Sequence, residues 1–123
     1  MRLPRKCSIT RRTDFARVKT LGQAKAGRFV VVSTLADPSL SSLKTGFITT
    51  RRSGKAHDRV LLRRHFRALV QAHAPGFSDL RPFLITIARP GASQASFAEL
   101  KADWFKQAKR LGLFPRPAEN RDV

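Results

Sequence analysis

The chain of 123 residues is long enough for one modest hydrophobic core, and its single cysteine, Cys7, excludes an internal disulfide bond. Lysine and arginine together number 25 against 8 acidic residues, which gives a net charge of +17. Self-repulsion of this size indicates a partner with dense negative charge, and nucleic acid is a better candidate than an anionic membrane. No apolar run approaches the roughly 20 residues of a membrane-spanning helix, and no signal peptide is evident, so we expect a cytoplasmic protein.

The positive charge is concentrated in the first part of the chain. Residues 1–67 contain 17 basic and 3 acidic residues, whereas residues 68–123 contain 8 and 5. Arginine outnumbers lysine, which suits bidentate contacts with phosphate groups and stacking on bases. A polyanion-binding surface is therefore expected in the first part of the chain.

The chain begins with a basic arm over residues 1–12, which Leu3 and Ile9 would attach to the body of the protein. Thr13 is predicted to cap a short helix over residues 14–21, because its hydroxyl can accept a free N–H group of the first turn. The apolar side of this helix would consist of Phe15, Val18 and Leu21.

Two strands are predicted after this helix. Residues 23–28 are interpreted as a loop, and the β-branched run at residues 29–35 is typical of a strand buried on both faces. Residues 36–42 are rich in turn formers and few in number. Residues 43–50 are therefore expected to pair with the first strand as an antiparallel hairpin.

The most informative segment is the basic stretch at residues 50–70. A helix starting at Asp58, with Asp58 as its N-cap, places four arginines within an arc of roughly 140°. Its other side would carry Leu61, Leu62, His65, Phe66 and Leu69, which can pack on a core. An ordinary solvated helix mixes charges of both signs, and this one does not. The pattern predicts a polyanion-binding face made of Arg51, Arg52, Lys55, Arg59, Arg63, Arg64 and Arg67.

The last part of the chain predicts one more strand and one more helix. The basic helix would end near Ala72, and residues 82–88 form a third apolar, β-branched run. Ser96 and Glu99 have the spacing of a capping box at a helix start. That helix would present Phe97, Leu100, Trp104, Ala108 and Leu111 on one face. For Trp104 and Phe105, core packing is favoured over base stacking, and residues 115–123 are expected to be a disordered tail.

The predicted order is therefore α-β-β-α-β-α. It indicates an α+β fold, a small two-layer α/β sandwich in one domain over residues 1–114, with the helices on one side of the sheet. The strand–helix–strand passage through the basic helix would by default be a right-handed crossover.

The sequence lacks the patterns of an autonomous catalytic centre. It has no Cys–His spacing for zinc, no phosphate-binding glycine-rich loop and no nucleophile motif. His57, His65 and His73 do not converge in the predicted elements, and the eight acids form no obvious pair for metal-dependent nuclease chemistry. We therefore expect a monomeric RNA- or DNA-binding protein that binds no metal or other cofactor by itself.

An ordered set of residues recurs along most of the chain: Leu3, Thr13-Asp14-Phe15, Gly22, Arg28, Gly46, Arg51-Arg52-Ser53-Gly54-Lys55-Ala56, Arg59, Arg63-Arg64, Arg67, Ile87-Ala88-Arg89, Phe97, Glu99 and Leu100. Any one of these residues is a weak indicator, but the set in this order and spacing is fairly specific. Through this set the chain resembles the protein subunit of bacterial ribonuclease P over about residues 3–114.

The resemblance implies a specific fold and role. The family's fold is a small α/β sandwich whose strand–helix–strand crossover is left-handed, against the default. Its members bind a catalytic RNA that carries the active site and uses magnesium, and they also contact the 5′ leader of precursor tRNA. The implied role is the accessory protein subunit of an endoribonuclease that removes this leader, with the protein alone not catalytic.

The resemblance also implies site residues. The catalytic RNA would be bound by the basic set named above, and the leader by a cleft between the first helix and the sheet. The cleft residues would be Phe15, Lys19, Phe29, Val31, Ser33 and Arg89.

The sequence departs from the family pattern in three ways. The family's basic helix opens with Arg-Asn-Arg, whereas this chain has Arg59-Val60-Leu61. Lys19 replaces a usual aromatic residue in the first helix, and Ser33 replaces a common tyrosine in the first strand. Base stacking contributes about 1–3 kcal/mol per base, so weaker leader binding is expected unless Phe29 or Lys19 compensates.

Two other functions are kept as alternatives to the processing role. A general RNA-binding or ribosome-associated protein would need the same charge without a preference for precursor tRNA. An independent nuclease would need clustered carboxylates, and the acids of this chain are scattered.

Overall fold

The computed structural model describes residues 7–78 and 81–115, so Leu3 and most of the predicted C-terminal tail lie outside the described residues. The predicted α+β class is confirmed, with one strand more than expected. The elements are α1 (Arg12–Leu21), β1 (Gln23–Ala26), β2 (Val30–Ala36), β3 (Lys44–Ile48), α2 (Ala56–His73), β4 (Pro82–Ala88) and α3 (Phe97–Arg110).

The four strands form one mixed sheet in the order β1-β2-β4-β3. β4 is antiparallel to β2 and parallel to β3. The predicted hairpin between β2 and β3 is therefore wrong, because β4 lies between them. β4 is the most thoroughly buried strand, with every residue except Ile87 buried. It takes a central position and pairs with all seven residues of β2, whereas the shorter β3 lies at the edge.

The loop predicted at residues 23–28 contains β1, which pairs antiparallel with β2. This short edge strand has no β-branched residue, so its own sequence does not indicate a strand. The turn that follows it is fixed by α3, because the Asp103 carboxylate accepts hydrogen bonds from the backbone N–H groups of Arg28, Phe29 and Val30 at 2.8–3.3 Å. A tertiary contact thus stabilises the hairpin.

Helices α2 and α3 cover one face of the sheet. Their buried side chains include Phe66 and Trp104, which pack over Val30, Val32 and Leu84 of the central strands. The Trp104 indole N–H donates a hydrogen bond of 3.1 Å to the Thr86 hydroxyl on the same face. This face contains the larger of the two cores.

Helix α1 packs on the opposite face, which corrects the prediction that all helices lie on one side. Val18 of α1 is buried against Phe83 and Ile85 of β4, together with Ile9 of the preceding arm. Successive side chains of a strand point to opposite faces. A strand as apolar as β4 therefore needs cover on both faces.

The predicted start of α3 is confirmed, whereas the predicted start of α1 is wrong. The capping box of α3 is confirmed, since the Ser96 hydroxyl accepts from the Glu99 N–H at 3.1 Å and the Glu99 carboxylate accepts from the Ser96 N–H at 2.9 Å. Helix α1 begins earlier than predicted, after Arg11, which provides no side-chain cap, so Thr13 lies inside the helix. Leu21, predicted on its apolar side, is 65% exposed.

The β3–α2–β4 unit is a parallel crossover between neighbouring strands, and its handedness stays a prediction. No helix within the described ranges is long and apolar enough to cross a membrane.

Candidate nucleic-acid interface

Helix α2 is held on the sheet by one apolar stripe, made of Leu62, Phe66, Leu69 and Val70. Leu61, predicted to belong to this stripe, is 46% exposed and is not among its buried residues. Arg59, Arg63 and Arg67 follow at intervals of four residues, which places them in one row beside the stripe. Together with exposed Arg64 they form a surface that we call the arginine flank.

The row of the arginine flank contacts uncharged groups near the edge strand β3. The Arg59 guanidinium donates to the Gly54 carbonyl at 3.1 Å, and that of Arg63 donates to the Thr49 hydroxyl at 2.6 Å. The Arg67 guanidinium lies 5.6 Å from the centre of the Phe47 ring. These contacts orient the guanidinium groups and leave their charge uncompensated.

The acids of the described residues do not neutralise this flank. The ion pairs found within residues 7–78 and 81–115 join Arg17 to Asp14 and Asp37, and His57 to Asp58. The helix starts at Ala56, two residues before the predicted cap, so Asp58 lies in the first turn. From there its carboxylate accepts the Lys55 N–H at 3.1 Å.

The approach to α2 extends the basic surface. Arg51 and Arg52 are exposed in a single 3₁₀ turn, Arg51–Ser53, whose Ser53 hydroxyl accepts the Thr50 N–H at 3.0 Å. A depression of about 700 Å³, which we call the basic bowl, opens beside this turn. Its lining residues are Arg51, Arg52, Gly54, Lys55, Ala56, Asp58, Arg59, Gly91, Ser93 and Gln94.

The loop after β4 provides the far wall of the basic bowl, which the sequence patterns did not indicate. The Gly91 N–H donates to the Arg52 carbonyl at 3.4 Å, so the two walls are in contact. All three predicted cations of the approach, Arg51, Arg52 and Lys55, line this bowl together with Arg59. The structure therefore brings the whole predicted basic set onto α2 and its approach turn.

A second concave surface, the α1 cleft, lies between α1 and the sheet and has a volume of about 490 Å³. Of the residues predicted for a leader cleft, Phe15, Lys19, Val31 and Ser33 line it. The Phe15 ring lies directly on Gly46 of β3, where an added Cβ would come within 2.6 Å of the ring. Glycine at this position therefore allows the ring to form a wall of the cleft.

The α1 cleft combines an apolar floor with a cationic rim. Val31, Ile85 and Ile87 form part of the floor, and Arg12 and Lys19 are exposed at the helix side. None of its lining residues within the described part of the chain is acidic. Such a surface can accept a flat nucleobase while the cations contact the flanking phosphates.

Two residues predicted for the leader cleft lie elsewhere. Phe29 precedes β2 and packs against the core under α2 and α3, because strand alternation does not extend into the turn. The Arg89 guanidinium donates to the Gly27 carbonyl at 2.7 Å, and its backbone N–H donates to the Phe29 carbonyl at 2.9 Å. Both residues hold the β1–β2 turn in place.

Several cleft residues escaped prediction from sequence. Ile85 and Ile87 could have been found from the alternation of β4, but only by expecting a helix on each face of the sheet. Gln23 and Ala24 belong to β1, which has no strand pattern of its own. Arg12 is predicted to belong to the basic arm, whereas it is the first residue of α1.

The three histidines do not form a site. His57 is exposed beside Asp58, while the His65 ring lies 4.9 Å from the Phe97 ring. Burial lowers the pKa of His65, and the neighbouring charge of Arg64 lowers it further. Within residues 7–78 and 81–115, no group of three or more His, Cys, Asp or Glu side chains is placed to hold a metal ion.

Comparisons with known proteins agree with this architecture. The family model described as Ribonuclease P matches residues 3–112. A ribonuclease P protein component from Acidothermus cellulolyticus is 34% identical over 110 residues, which cover 89% of this chain and 91% of that protein. A ribonuclease P protein component from Syntrophomonas wolfei is 28% identical over 120 residues, which cover 98% of this chain and 99% of that protein. The solved RNase P protein of Staphylococcus aureus matches the fold with a TM-score of 0.81 at 23% identity, over 89% of this chain and 98% of that one.

Proposed function

The chain belongs to the ribonuclease P protein family, and on that premise we propose that it binds a catalytic RNA through the arginine flank and the basic bowl. In the same complex the α1 cleft would receive the 5′ leader of precursor tRNA. The family membership makes the chain a ribonuclease P subunit in tRNA processing. The assignment of each partner to a surface is our proposal.

The observation that carries this proposal is a row of guanidinium groups without acidic partners among the described residues. Arg59, Arg63 and Arg67 are oriented by neutral groups, so their positive charge is available to phosphates. Binding phosphates would release the counterions condensed on the RNA, which provides much of the free energy of such complexes.

The α1 cleft supports a second contact with a single strand. Phe15 provides an aromatic wall and Arg12 and Lys19 provide cations, although the family's usual aromatic residue and tyrosine are replaced by Lys19 and Ser33. We propose that leader binding by this chain depends more on charge and less on stacking than is usual in the family.

We further propose that the RNA carries the active site and uses the magnesium ions. The surfaces described above present cations and apolar groups, which suit binding and positioning of a polyanion. By neutralising phosphates, they would let the RNA fold and hold its substrate at a lower magnesium concentration. A cytoplasmic location and a monomeric protein remain predictions of this proposal.

The test is cleavage of precursor tRNA by a cognate RNA subunit over a series of magnesium concentrations, with and without the protein. We expect the protein to stimulate leader removal, most strongly at low magnesium. A variant with Arg59, Arg63 and Arg67 changed to alanine should lose most of the stimulation.

Absence of stimulation at every magnesium concentration would contradict the proposal. Crosslinking in cells that recovered ribosomal RNA alone would favour the general RNA-binding alternative. Magnesium-dependent cleavage by the purified protein without any RNA subunit would favour an independent nuclease.

A further inference from the structure

Two neighbouring aromatic residues of α3 have different environments. Trp104 is fully buried, and its indole N–H is bonded to Thr86. Phe105 is only partly buried, and it lines a shallow hollow of about 390 Å³ between the end of α2 and the middle of α3. Core packing therefore explains Trp104 completely and leaves one side of Phe105 accessible.

The hollow is apolar and offers room beside the Phe105 ring. Ala98 and Ala102 form its floor because their small side chains leave space on the helix surface. The His73 ring lies 5.2 Å from that of Phe105 at an angle of 44°. A planar group entering the hollow would thus meet two aromatic rings.

Lysines stand on both sides of this ring. Lys101, Phe105 and Lys109 recur at intervals of four residues, so they form one ridge about 12 Å long on α3. The Lys109 ammonium lies 5.1 Å from the centre of the Phe105 ring, and Lys101 lines the hollow itself. Both lysines are exposed.

The two acids of α3 are engaged away from this ridge. Glu99 accepts the Ser96 N–H in the capping box, and Asp103 accepts the amides of the β1–β2 turn. The ridge therefore carries net positive charge next to an accessible aromatic ring. Sequence-tolerant binding of single strands uses this combination, because cations contact the backbone while bases stack on the ring.

We propose that the ridge Lys101–Phe105–Lys109 is a further binding site for single-stranded RNA, with one base in the hollow against Phe105 and phosphates on the two lysines. The site is separate from the arginine flank. His65 and His73 of α2 contact α3, whereas Arg63 and Arg67 contact Thr49 and Phe47 next to β3.

The test uses the full chain and a short, fluorescently labelled single-stranded RNA. For the variant Lys101→Ala/Lys109→Ala, the slope of log affinity against log salt should fall by about 1.4, from two lost phosphate contacts at about 0.7 each. Lys106→Ala is the matched control, because Lys106 is exposed on the same helix but lies off the ridge. Its slope should stay close to that of the unmodified chain.

A second variant separates stacking from charge. Phe105→Leu keeps an apolar side chain in the hollow but removes the ring, so it should weaken RNA binding at least about fivefold. It should leave the affinity for inorganic polyphosphate, which has no bases, unchanged. If Phe105→Leu weakened the binding of RNA and of polyphosphate equally, the proposed stacking would be overturned.

Photo-crosslinking of thiouridine-labelled RNA locates the contact. The experiment is done once with the RNA subunit and once with precursor tRNA. We expect crosslinks to Phe105 or its neighbours on α3 with at least one of these RNAs, and a crosslink with either RNA supports the site. Crosslinks confined to α1 and α2 would overturn the proposal. It would equally be overturned if the ridge bound an acidic polypeptide and no RNA.

Discussion

Some arginines of this protein have acidic partners within the protein, and others contact only uncharged groups of the described residues. Arg17 on α1 lies 3.9 Å from the Asp14 carboxylate and 3.3 Å from that of Asp37. Arg63 on α2 donates to a hydroxyl at 2.6 Å and has no acidic partner among the described residues. The first is compensated within the protein, and the second is available to a polyanion.

This difference yields a prediction for Arg63→Ala. Loss of a charge-assisted hydrogen bond to phosphate should weaken binding of the RNA subunit about tenfold, equivalent to about 1.4 kcal/mol. The slope of log affinity against log salt should fall by about 0.9 for a duplex contact. Filter binding or fluorescence anisotropy at several salt concentrations measures both quantities, and Arg59→Ala should behave similarly.

Arg17→Ala is the control for this measurement, since it removes an exposed arginine that the protein already neutralises. Its affinity and salt slope should change much less. If Arg17→Ala and Arg63→Ala changed the affinity and the salt slope equally, only the total charge of the protein would matter. That result would contradict the proposed contact between Arg63 and RNA phosphate.

His73 gives a prediction about pH. Burial lowers its pKa below the ordinary value of 6.5, and the charge of Lys101 lowers it further. Below about pH 6.5 the unfolded chain takes up this proton before the folded chain does. Lowering the pH from about 6.5 to below the pKa that His73 has in the folded chain should therefore reduce the free energy of unfolding.

The variant His73→Phe tests this effect by urea unfolding at pH 7.5 and 5.5. Its ring can join the surrounding aromatic residues, and the loss of stability between the two pH values should be smaller than in the unmodified chain. Some loss should remain, because His65 also has a lowered pKa. His57→Gln, at a side chain that is 81% exposed, serves as the control. An unchanged pH dependence in His73→Phe would refute the assignment.

At the scale of elements, α2 shows where this chain departs from its family. Val60 and Leu61 stand where the family pattern has asparagine and arginine, and they are 50% and 46% exposed. Neither side chain contributes to the buried stripe of the helix. The departure therefore changes the proposed binding surface and leaves the buried stripe of the helix intact.

Restoring the family residues should strengthen RNA binding. In the variant Val60→Asn/Leu61→Arg we expect higher affinity for the RNA subunit and a salt slope steeper by about 0.9, from one added phosphate contact. Leu21→Arg is the matched control, because it places the same new charge at a 65% exposed leucine of α1. An equal gain in Leu21→Arg would indicate a non-specific charge effect.

Local patterns predicted α2, α3, β2, β3 and β4 well, since each has a strong periodicity or a β-branched run. They failed for β1, whose pairing depends on Asp103 from a helix more than 70 residues later. They also failed for strand order. β4, the most completely buried strand, lies between β2 and β3, although it follows both in the sequence. The pairing of β1 and the order of the strands therefore both depend on elements that are distant in the sequence.

The candidate sites follow the same division. The arginine flank could be predicted because four arginines share one flank of a single helix. The α1 cleft could be predicted only in part, since its floor comes from β2, β3 and β4 and its helix lies on the face opposite to the other two. Phe29 and Arg89 show the limit, because Phe29 lies in the turn before β2 and Arg89 lies directly after β4, where strand alternation no longer applies.

At the scale of the whole molecule, the sheet separates the two surfaces that we propose to bind RNA. The α1 cleft lies on one face, and the arginine flank lies on α2, which covers the other face beside β3. A protein arranged in this way can hold the leader of a precursor tRNA on one side and the catalytic RNA on the other. Its contribution to processing would be the relative placement of two RNA molecules.

The most direct test is tethered hydroxyl-radical cleavage in the assembled complex, in a Cys7→Ala background. A chelated iron is attached either at Val60→Cys within the arginine flank or at Ala16→Cys in the α1 cleft, both exposed positions. We predict that the Val60 probe cleaves the RNA subunit and that the Ala16 probe cleaves the precursor-tRNA leader. Identical cleavage patterns from the two probes, or leader cleavage from Val60 alone, would contradict it.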